Sequence, residues 1–243
     1  MTFSRCSTHD IFIDQRQMVY AGPIFWDAAK HGKAVMTTYR DFIATAPEEL
    51  GFFVGLKTVP SVDAFPKEGW GKRACAIIGS YNGPQADGER AMAPLLKALP
   101  APMFNWMGTM PFPAINSLFD PLFPKGLQWY WKADFVKSLP DEAIDTHIAQ
   151  AAKAPTELCL MHLYPIDGAV RRVAADATAW SARNATFSMV IAGISPGRTE
   201  ADQITIFGSV GLASQDVVVA WLTYQEALRR GVGHFVNFNP ECK

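Results

Sequence analysis

The sequence predicts an α+β protein with one mostly antiparallel sheet and helices packed on one face. Segments with strand-like composition outnumber segments with helical spacing, and they occur in adjacent pairs. A parallel sheet needs strands that alternate with helices along the chain, and this alternation is absent. The chain has 243 residues, of which 49% are hydrophobic and 19% charged, so it can bury a sizeable core.

The first third of the chain predicts strand, helix, strand and strand. Residues 18–26 are apolar and strand-like, and Asp27 opens a run with helical spacing that ends before Pro47. Aromatic and β-branched residues are enriched at 51–59 and 73–83. We therefore expect these last two segments to be neighbouring antiparallel strands.

The middle of the chain is less regular. A second helix is expected over about 86–99, bent by Pro94, and 100–110 is either a strand or an extended crossing. Four prolines fall within 110–126, which excludes a long regular element there.

The second half predicts one well-defined helix among strands. Residues 126–135 indicate a strand, and a helix is expected to start at Ser138 as the N-cap, with Pro140 in its first turn. Three further strands are expected at 156–165, 185–194 and 233–238, and one or two helices within 198–231.

Charge and composition exclude several classes of function. The 22 Lys and Arg residues are balanced by 23 Asp and Glu residues, so there is no basic excess for nucleic acid. No apolar stretch is long enough to span a membrane, and charges interrupt the N-terminus too early for a signal peptide. We therefore expect a cytoplasmic protein. The four cysteines are widely spaced and the five histidines are scattered, which predicts neither a disulfide framework nor a metal site.

Two short motifs match functional patterns by letter only. GISPG at 193–197 has the form of a nucleophile elbow around Ser195, but Pro196 lacks the backbone N–H that the oxyanion hole needs. GWGKRA at 69–74 has the letters of a dinucleotide fingerprint, but it precedes a strand and opens no helix to hold a pyrophosphate. We interpret both as connecting turns.

Longer runs of sequence carry a family resemblance. In chain order they are LFD at 118–120, PKG at 124–126, WYWK at 129–132, LPDEAI at 139–144, GAV at 168–170, DATAW at 176–180 with Arg183, and FVNF at 235–238. Together with runs at 39–50 and 93–95, they resemble the berberine-bridge-enzyme-like family of FAD-linked oxidases. The resemblance spans about residues 18–238.

The resemblance implies only part of such an enzyme. Residues 1–17 are a poorly specified extension, and 18–243 resemble the substrate-binding domain, truncated at both ends. The partner would be a missing FAD-binding domain, with FAD as cofactor and a small molecule as substrate. The intact enzyme would then oxidise an alcohol, amine or sugar-like C–H bond by hydride transfer to flavin, with O2 as acceptor, whereas the fragment alone would be inactive.

Strand alternation gives candidates for the substrate side of that site. In 127–132, Tyr130 and Lys132 share one face, while Trp129 and Trp131 share the other, which we assign to the core. Tyr130 and Lys132 are therefore predicted to contact substrate, a structural or solvent-facing role being the alternative.

Two later strands add further candidates. His162 shares a face with Tyr164 and is predicted to contact substrate, the alternative being a satisfied histidine in the core. The resemblance places a polar pocket residue of the family near Ser188 or Val190. Because valine cannot transfer a proton, the catalytic base stays unassigned.

The last strand supplies the predicted cofactor contacts. By the resemblance, Phe235, Asn237 and Phe238 would lie close to the flavin; the alternative is an ordinary edge strand in which the asparagine caps a turn. A competing hypothesis for the whole chain is a non-catalytic α+β binding module that dimerises through its sheet face.

Overall fold

The computed structural model describes residues 18–177, 180, 182–194 and 213–232. The chain divides into two compact units, residues 1–196 and 197–243. The sequence, by contrast, predicts a single domain over 18–243. The first unit contains the sheet, and the described part of the second unit is one helix with the two residues that follow it.

Within the described residues, the predicted elements occur in the expected order with bounds shifted by a few residues, and there are two short helices, Phe112–Ser117 and Gly168–Arg172, that the sequence did not predict. The strands are β1 (Met18–Asp27), β2 (Leu50–Thr58), β3 (Arg73–Tyr81), β4 (Phe104–Asn105), β5 (Gly108–Pro111), β6 (Trp129–Val136), β7 (Leu160–Pro165) and β8 (Phe187–Ile194). The α-helices are α1 (Ala28–Ile43), α2 (Gln85–Ala98), α3 (Phe112–Ser117), α4 (Asp141–Ala152), α5 (Gly168–Arg172) and α6 (Ala213–Arg230). Short 3-10 turns occupy 67–69, 120–122 and 182–184.

The eight strands form one sheet in the order β4-β1-β3-β2-β7-β8-β6, with β5 also paired to β1. Every pairing is antiparallel. The predicted fold class is confirmed, and so is the pairing of the strands near 51–59 and 73–83.

The main core lies between the sheet and its three long helices, α1, α2 and α4. Alternate strand residues such as Trp26, Phe52 and Ile77 meet helix residues such as Met36 and Ile144, and all five are almost fully buried. We call this side of the sheet the helix-covered face.

The opposite side, which we call the aromatic face, is covered by shorter segments. Helix α3 packs there on β1 through Ile115, next to Val19 and Ala21. Farther along, the Phe119 ring lies 6.2 Å from the Phe53 ring, so the proline-rich connection after α3 also covers this face. Toward β6 and β8 the aromatic face is more open, because Trp131 and Phe135 are about half exposed.

Helix starts show where local signals succeed and fail. Asp27 is the N-cap of α1, as expected, and its carboxylate accepts hydrogen bonds from the backbone N–H groups of Ala29 and Lys30. The start of α4 at Ser138 was predicted wrongly, since the helix begins at Asp141 after Pro140. Proline disfavours helical geometry in the preceding residue, so the helix starts beyond Pro140.

Candidate functional site

The aromatic face brings together three of the residues predicted to contact substrate. His162 on β7 lies opposite Gly55 on β2 and Val190 on β8. Tyr164 lies opposite Ser188. Because partners in an antiparallel pair point to the same side, His162, Ser188 and Val190 share this face with Tyr164.

The other two predicted substrate residues lie on the opposite side of the sheet. Lys132 is the partner of Ile191, and Tyr130 is the partner of Gly193, both on the helix-covered face. The sheet therefore separates Tyr130 and Lys132 from His162, and the five residues do not form one pocket.

The assignment of Trp129 and Trp131 to the core is wrong. Both lie on the aromatic face near its edge, where the Phe123 ring stacks on the Trp131 ring at 5.5 Å. Strand β6 is the edge of the sheet, with β8 as its one neighbour among the described strands. Side chains on both faces of this edge strand are more than half exposed, Tyr130 at 62% and Trp131 at 51%.

The centre of the candidate site is a hydrogen-bonded pair, His162 and Tyr164. The His162 Nδ1 and Tyr164 Oη atoms are 2.7 Å apart. The Phe53 ring lies 4.9 Å from the imidazole and 4.7 Å from the phenol. His162 is buried, while Tyr164 is 37% exposed, so the tyrosine is the more exposed member of the pair.

Gly55 makes room for the imidazole. A Cβ atom at this position would lie 2.9 Å from His162 Cδ2, closer than side chains approach one another. The glycine on β2 thus leaves space for the ring of His162, which lies directly opposite it on β7.

Burial keeps both members of the pair neutral. Burial, the larger cause, and the nearby Lys57 ammonium together lower the pKa of His162 to about 4. Burial also raises the pKa of the Tyr164 hydroxyl. With both groups neutral, the hydroxyl can donate to Nδ1 when the imidazole proton is on Nε2, and this is the tautomer we assign.

This arrangement suits a substrate hydroxyl or amine better than an ion. While Tyr164 donates to His162, its oxygen still accepts a hydrogen bond from a substrate O–H or N–H group. The surrounding aromatic rings would pack against a flat organic group. The His-x-Tyr spacing was visible in the sequence, but the contribution of Phe53 and Gly55 depends on the pairing of β2 with β7.

Other sequence-level predictions have different outcomes. The turn at 69–74 is confirmed: it connects a 3-10 turn to β3, and Gly71 has a positive φ of 70°. Phe235, Asn237, Phe238 and Ser195 lie outside the described residues. Within the described ranges, no group of three potential ligands is placed to bind a metal ion.

Among the helices that the structure describes, none has both the length and the apolar character needed to cross a membrane.

Comparison with protein families identifies a match in the later part of the chain. Residues 166–231 match the ornithine cyclodeaminase/mu-crystallin family. This segment begins after β7 and extends to the end of α6, so it includes β8 and crosses the boundary between the two units.

Curated relatives fall into two groups. An alanine dehydrogenase of Archaeoglobus fulgidus is 49% identical over 55 residues, which are 23% of this chain and 17% of the relative. A Delta(1)-pyrroline-2-carboxylate reductase of Bacillus cereus is 43% identical over 58 residues, 24% of this chain and 18% of the relative. An FAD-linked oxidoreductase of Dictyostelium discoideum is 25% identical over 122 residues, 49% of this chain and 27% of the relative. The chain thus spans only a small part of each relative.

Solved structures with a similar fold are found among oxidases. BBE-like number 28 from Arabidopsis thaliana superimposes with a TM-score of 0.59 at 17% identity, over 92% of this chain and 44% of that one. The 6-hydroxy-D-nicotine oxidase of Arthrobacter nicotinovorans gives a TM-score of 0.55 at 13% identity, over 89% and 44%. At these identities the likeness concerns the fold alone.

These findings correct the family resemblance drawn from sequence. The assignment to the berberine-bridge-enzyme-like family is wrong, because the family match is to ornithine cyclodeaminase/mu-crystallin over 166–231. That range contains the run from 168 to 183 on which the resemblance partly depended. In the structure, part of this run forms the five-residue helix α5 and a 3-10 turn, short elements whose sequence patterns carry little family information.

Proposed function

We propose that this chain is part of an oxidoreductase, in which the aromatic face positions a substrate for hydride transfer to an organic redox cofactor. The observation that carries the proposal is the neutral His162–Tyr164 hydrogen bond, set against Phe53 with the tyrosine partly exposed. The names of the relatives support oxidation or reduction as the class of reaction.

A flavin is the cofactor that we favour for the sheet unit. The aromatic face presents neutral and aromatic groups, including Phe53, Ala133 and Val190, which fit a flat ring system. The fold shared with oxidases and the FAD-linked relative also support this choice. When bound, the flavin would supply the hydride acceptor.

The residues of the chain would bind and orient the substrate. Oxidation of an alcohol or amine would transfer a hydride to the cofactor and release the O–H or N–H proton to solvent. A substrate O–H or N–H group donates to Tyr164 Oη, which holds the C–H bond in a fixed direction and excludes water from that side. His162 keeps the tyrosine hydroxyl turned inward, so the oxygen lone pairs point outward.

A nicotinamide cofactor is the second candidate, favoured by a separate observation. The alanine dehydrogenase and the pyrroline-2-carboxylate reductase match over 55 and 58 residues, and the family match covers 166–231. Under this alternative the later part of the chain would belong to a dehydrogenase acting on amino or imino acids.

Ligand binding by the 243-residue chain distinguishes the two candidates. We would titrate it with lumiflavin, FAD and NADH and follow flavin or nicotinamide fluorescence. We expect lumiflavin to bind weakly and FAD no more tightly, because the turn at 69–74 provides no helix N-terminus for phosphates. Tighter binding of NADH than of lumiflavin would favour the second candidate.

Two variants test whether the flavin ring binds to the aromatic face. Val190→Trp would fill the aromatic face beside His162 and should abolish lumiflavin binding. Asp134→Trp is the matched control, because Asp134 is exposed and lies on the helix-covered face of β6 opposite Met189. Equal loss of binding in both variants, or none in either, would contradict a flavin at this face.

A further inference from the structure

A second cavity lies where β2 ends and β7 begins, next to the C-terminal end of α4. Its volume is about 560 Å³, a size typical of pockets for small organic molecules. We call it the strand-end pocket. Its apolar walls include Leu56, Ala151, Met161 and Ile191.

The charged residues of this pocket all have the same sign. Lys57, Arg73 and Lys153 line it, and none of its lining residues in the described part of the chain is acidic. The Glu157 carboxylate interacts with Lys57 from outside the lining. Such a pocket has an excess of positive charge next to apolar surface.

The hydrogen bonds of Lys57 and Arg73 go to neutral acceptors. Lys57 Nζ donates to the backbone carbonyl of Glu157 at 3.2 Å. Arg73 donates to Thr58 Oγ1 at 2.5 Å and to the carbonyl of Ala154 at 2.7 Å. These acceptors are neutral, so they orient the cations without neutralising them.

We propose that the strand-end pocket binds a small amphipathic organic anion, with its apolar body against Met161 and Ile191 and its carboxylate or other anionic head between Lys57, Arg73 and Lys153. The apolar walls supply the affinity for the body, and the cations select the head. Lys57 lines this pocket and also lies near His162, but the proposal does not rest on the proposed oxidoreductase function.

Burial of Lys57 supports an anionic ligand. Its pKa is lowered mainly because burial penalises the charged ammonium. An anion in contact with it would favour the charged form, so binding should be accompanied by proton uptake at pH values near that lowered pKa.

Three probes with the same alkyl chain and different heads test the proposal. We would titrate the full chain with decanoate, decanol and decyltrimethylammonium by calorimetry. Decanoate should bind at least about tenfold more tightly than decanol, as expected for one charge-assisted contact, and the cation should show no binding. Equal affinities for decanoate and decanol would overturn the proposal.

Substitutions at the pocket separate charge from shape. Lys57→Met keeps an apolar stem and should weaken decanoate binding about tenfold while leaving decanol within about twofold. Lys97→Met is the control, since Lys97 is an exposed lysine of α2 outside the lining. Unchanged decanoate affinity in a folded Lys57→Met variant would also overturn the proposal.

A second pair keeps the test decisive if the lysine variant fails to fold. Ile191 is 44% exposed, so both Ile191→Glu and Ile191→Gln should fold, as checked by circular dichroism. The two new side chains have nearly the same shape. The glutamate should bind decanoate at least about tenfold more weakly than the glutamine, and equal affinities would refute an anionic ligand.

Discussion

Strands β3 and β6 belong to the same sheet but have opposite environments. β3 lies between β1 and β2, and its Cys75, Ile77 and Ile78 are buried on both faces. β6 pairs with β8 alone among the described strands, and its Tyr130 is 62% exposed. We refer to β1, β2 and β3 as the covered half of the sheet, and to β6 and β8 as the outer half.

The difference shows where the fold is stabilised and where it is available for binding. The covered half contains most of the buried apolar residues of the sheet, whereas the outer half leaves side chains accessible on both faces. Both candidate sites lie where the two halves meet: the His162–Tyr164 pair is on β7, and the strand-end pocket is lined by residues of β2, β3, β7 and β8. Ligand sites are typically found in such less stable parts of a domain.

The largest expected effect is in the covered half, at Gly79. A Cβ atom there would collide with the Gly51 carbonyl and lie 2.8 Å from the Phe52 Cα, both backbone atoms of β2. Gly79→Ala should lower the free energy of unfolding by about 3 kcal/mol or more, measured by urea denaturation.

Gly51→Ala is the matched control for Gly79→Ala. Its Cβ would meet its nearest neighbour, the Ser80 carbonyl oxygen, at 3.8 Å, an ordinary contact. We expect a change within about 0.5 kcal/mol. Equal destabilisation by the two substitutions would contradict the close approach of β2 and β3.

The next effect depends on pH and concerns His162. Because burial lowers its pKa to about 4, the unfolded chain binds more protons than the folded chain between about pH 4 and pH 6.5. The stabilisation is present above about pH 6.5 and is lost as the pH falls toward 4, by up to about 3 kcal/mol. Urea denaturation of wild type and His162→Phe at several pH values measures it.

The His162→Phe comparison isolates one group. Burial also lowers the pKa of His147, so the wild-type stability should fall with acidification for more than one reason. The slope that disappears in His162→Phe belongs to His162. Parallel pH profiles for the two proteins would show that His162 titrates normally.

A smaller effect is expected where the covered half meets β7. Gly55→Ala would displace the imidazole of His162, weaken its bond to Tyr164 and cost about 1–2 kcal/mol. The pKa of His162, measured by NMR titration, should rise toward its ordinary value as the ring moves outward. An unchanged pKa would mean that Gly55 does not position the ring.

The smallest effect concerns the same substitution, isoleucine to valine, at two positions on the helix-covered face. Ile77 in β3 and Ile191 in β8 both point to the helix-covered face, but Ile77 is fully buried and Ile191 is 44% exposed. Ile77→Val should cost about 1 kcal/mol and Ile191→Val less than about 0.5 kcal/mol, in thermal or urea unfolding. Equal costs would show that the outer half is covered in solution, as in the hypothesis of dimerisation through the sheet.

The sequence predicted the fold well because its strongest signals are local. The helical spacing that starts at Asp27 and the strand-like composition of β1, β2 and β3 act over a few residues, and they gave the correct elements. The predicted helix start at Ser138 was wrong because a competing local effect operates there: Pro140 disfavours helical geometry in the residue before it.

The candidate site was only partly predictable. Alternation correctly grouped His162 with Tyr164, because a strand pattern is also local. It could not show which side of the sheet carries the helices, so Trp131 was placed in the core and Tyr130 on the same side as His162. The role of Gly55 requires the register between β2 and β7, which more than a hundred residues of chain separate.

The position of β7 between β2 and β8 also has a consequence for the order of folding. β2 and β3 are close in sequence, so their pairing closes a short loop, whereas β7 must find β2 across most of the first unit. Long-range pairings of this kind are slow. We therefore expect the β2–β3 hairpin to form early and β7 to join it late, so that His162 and Tyr164 become ordered among the last residues of the sheet.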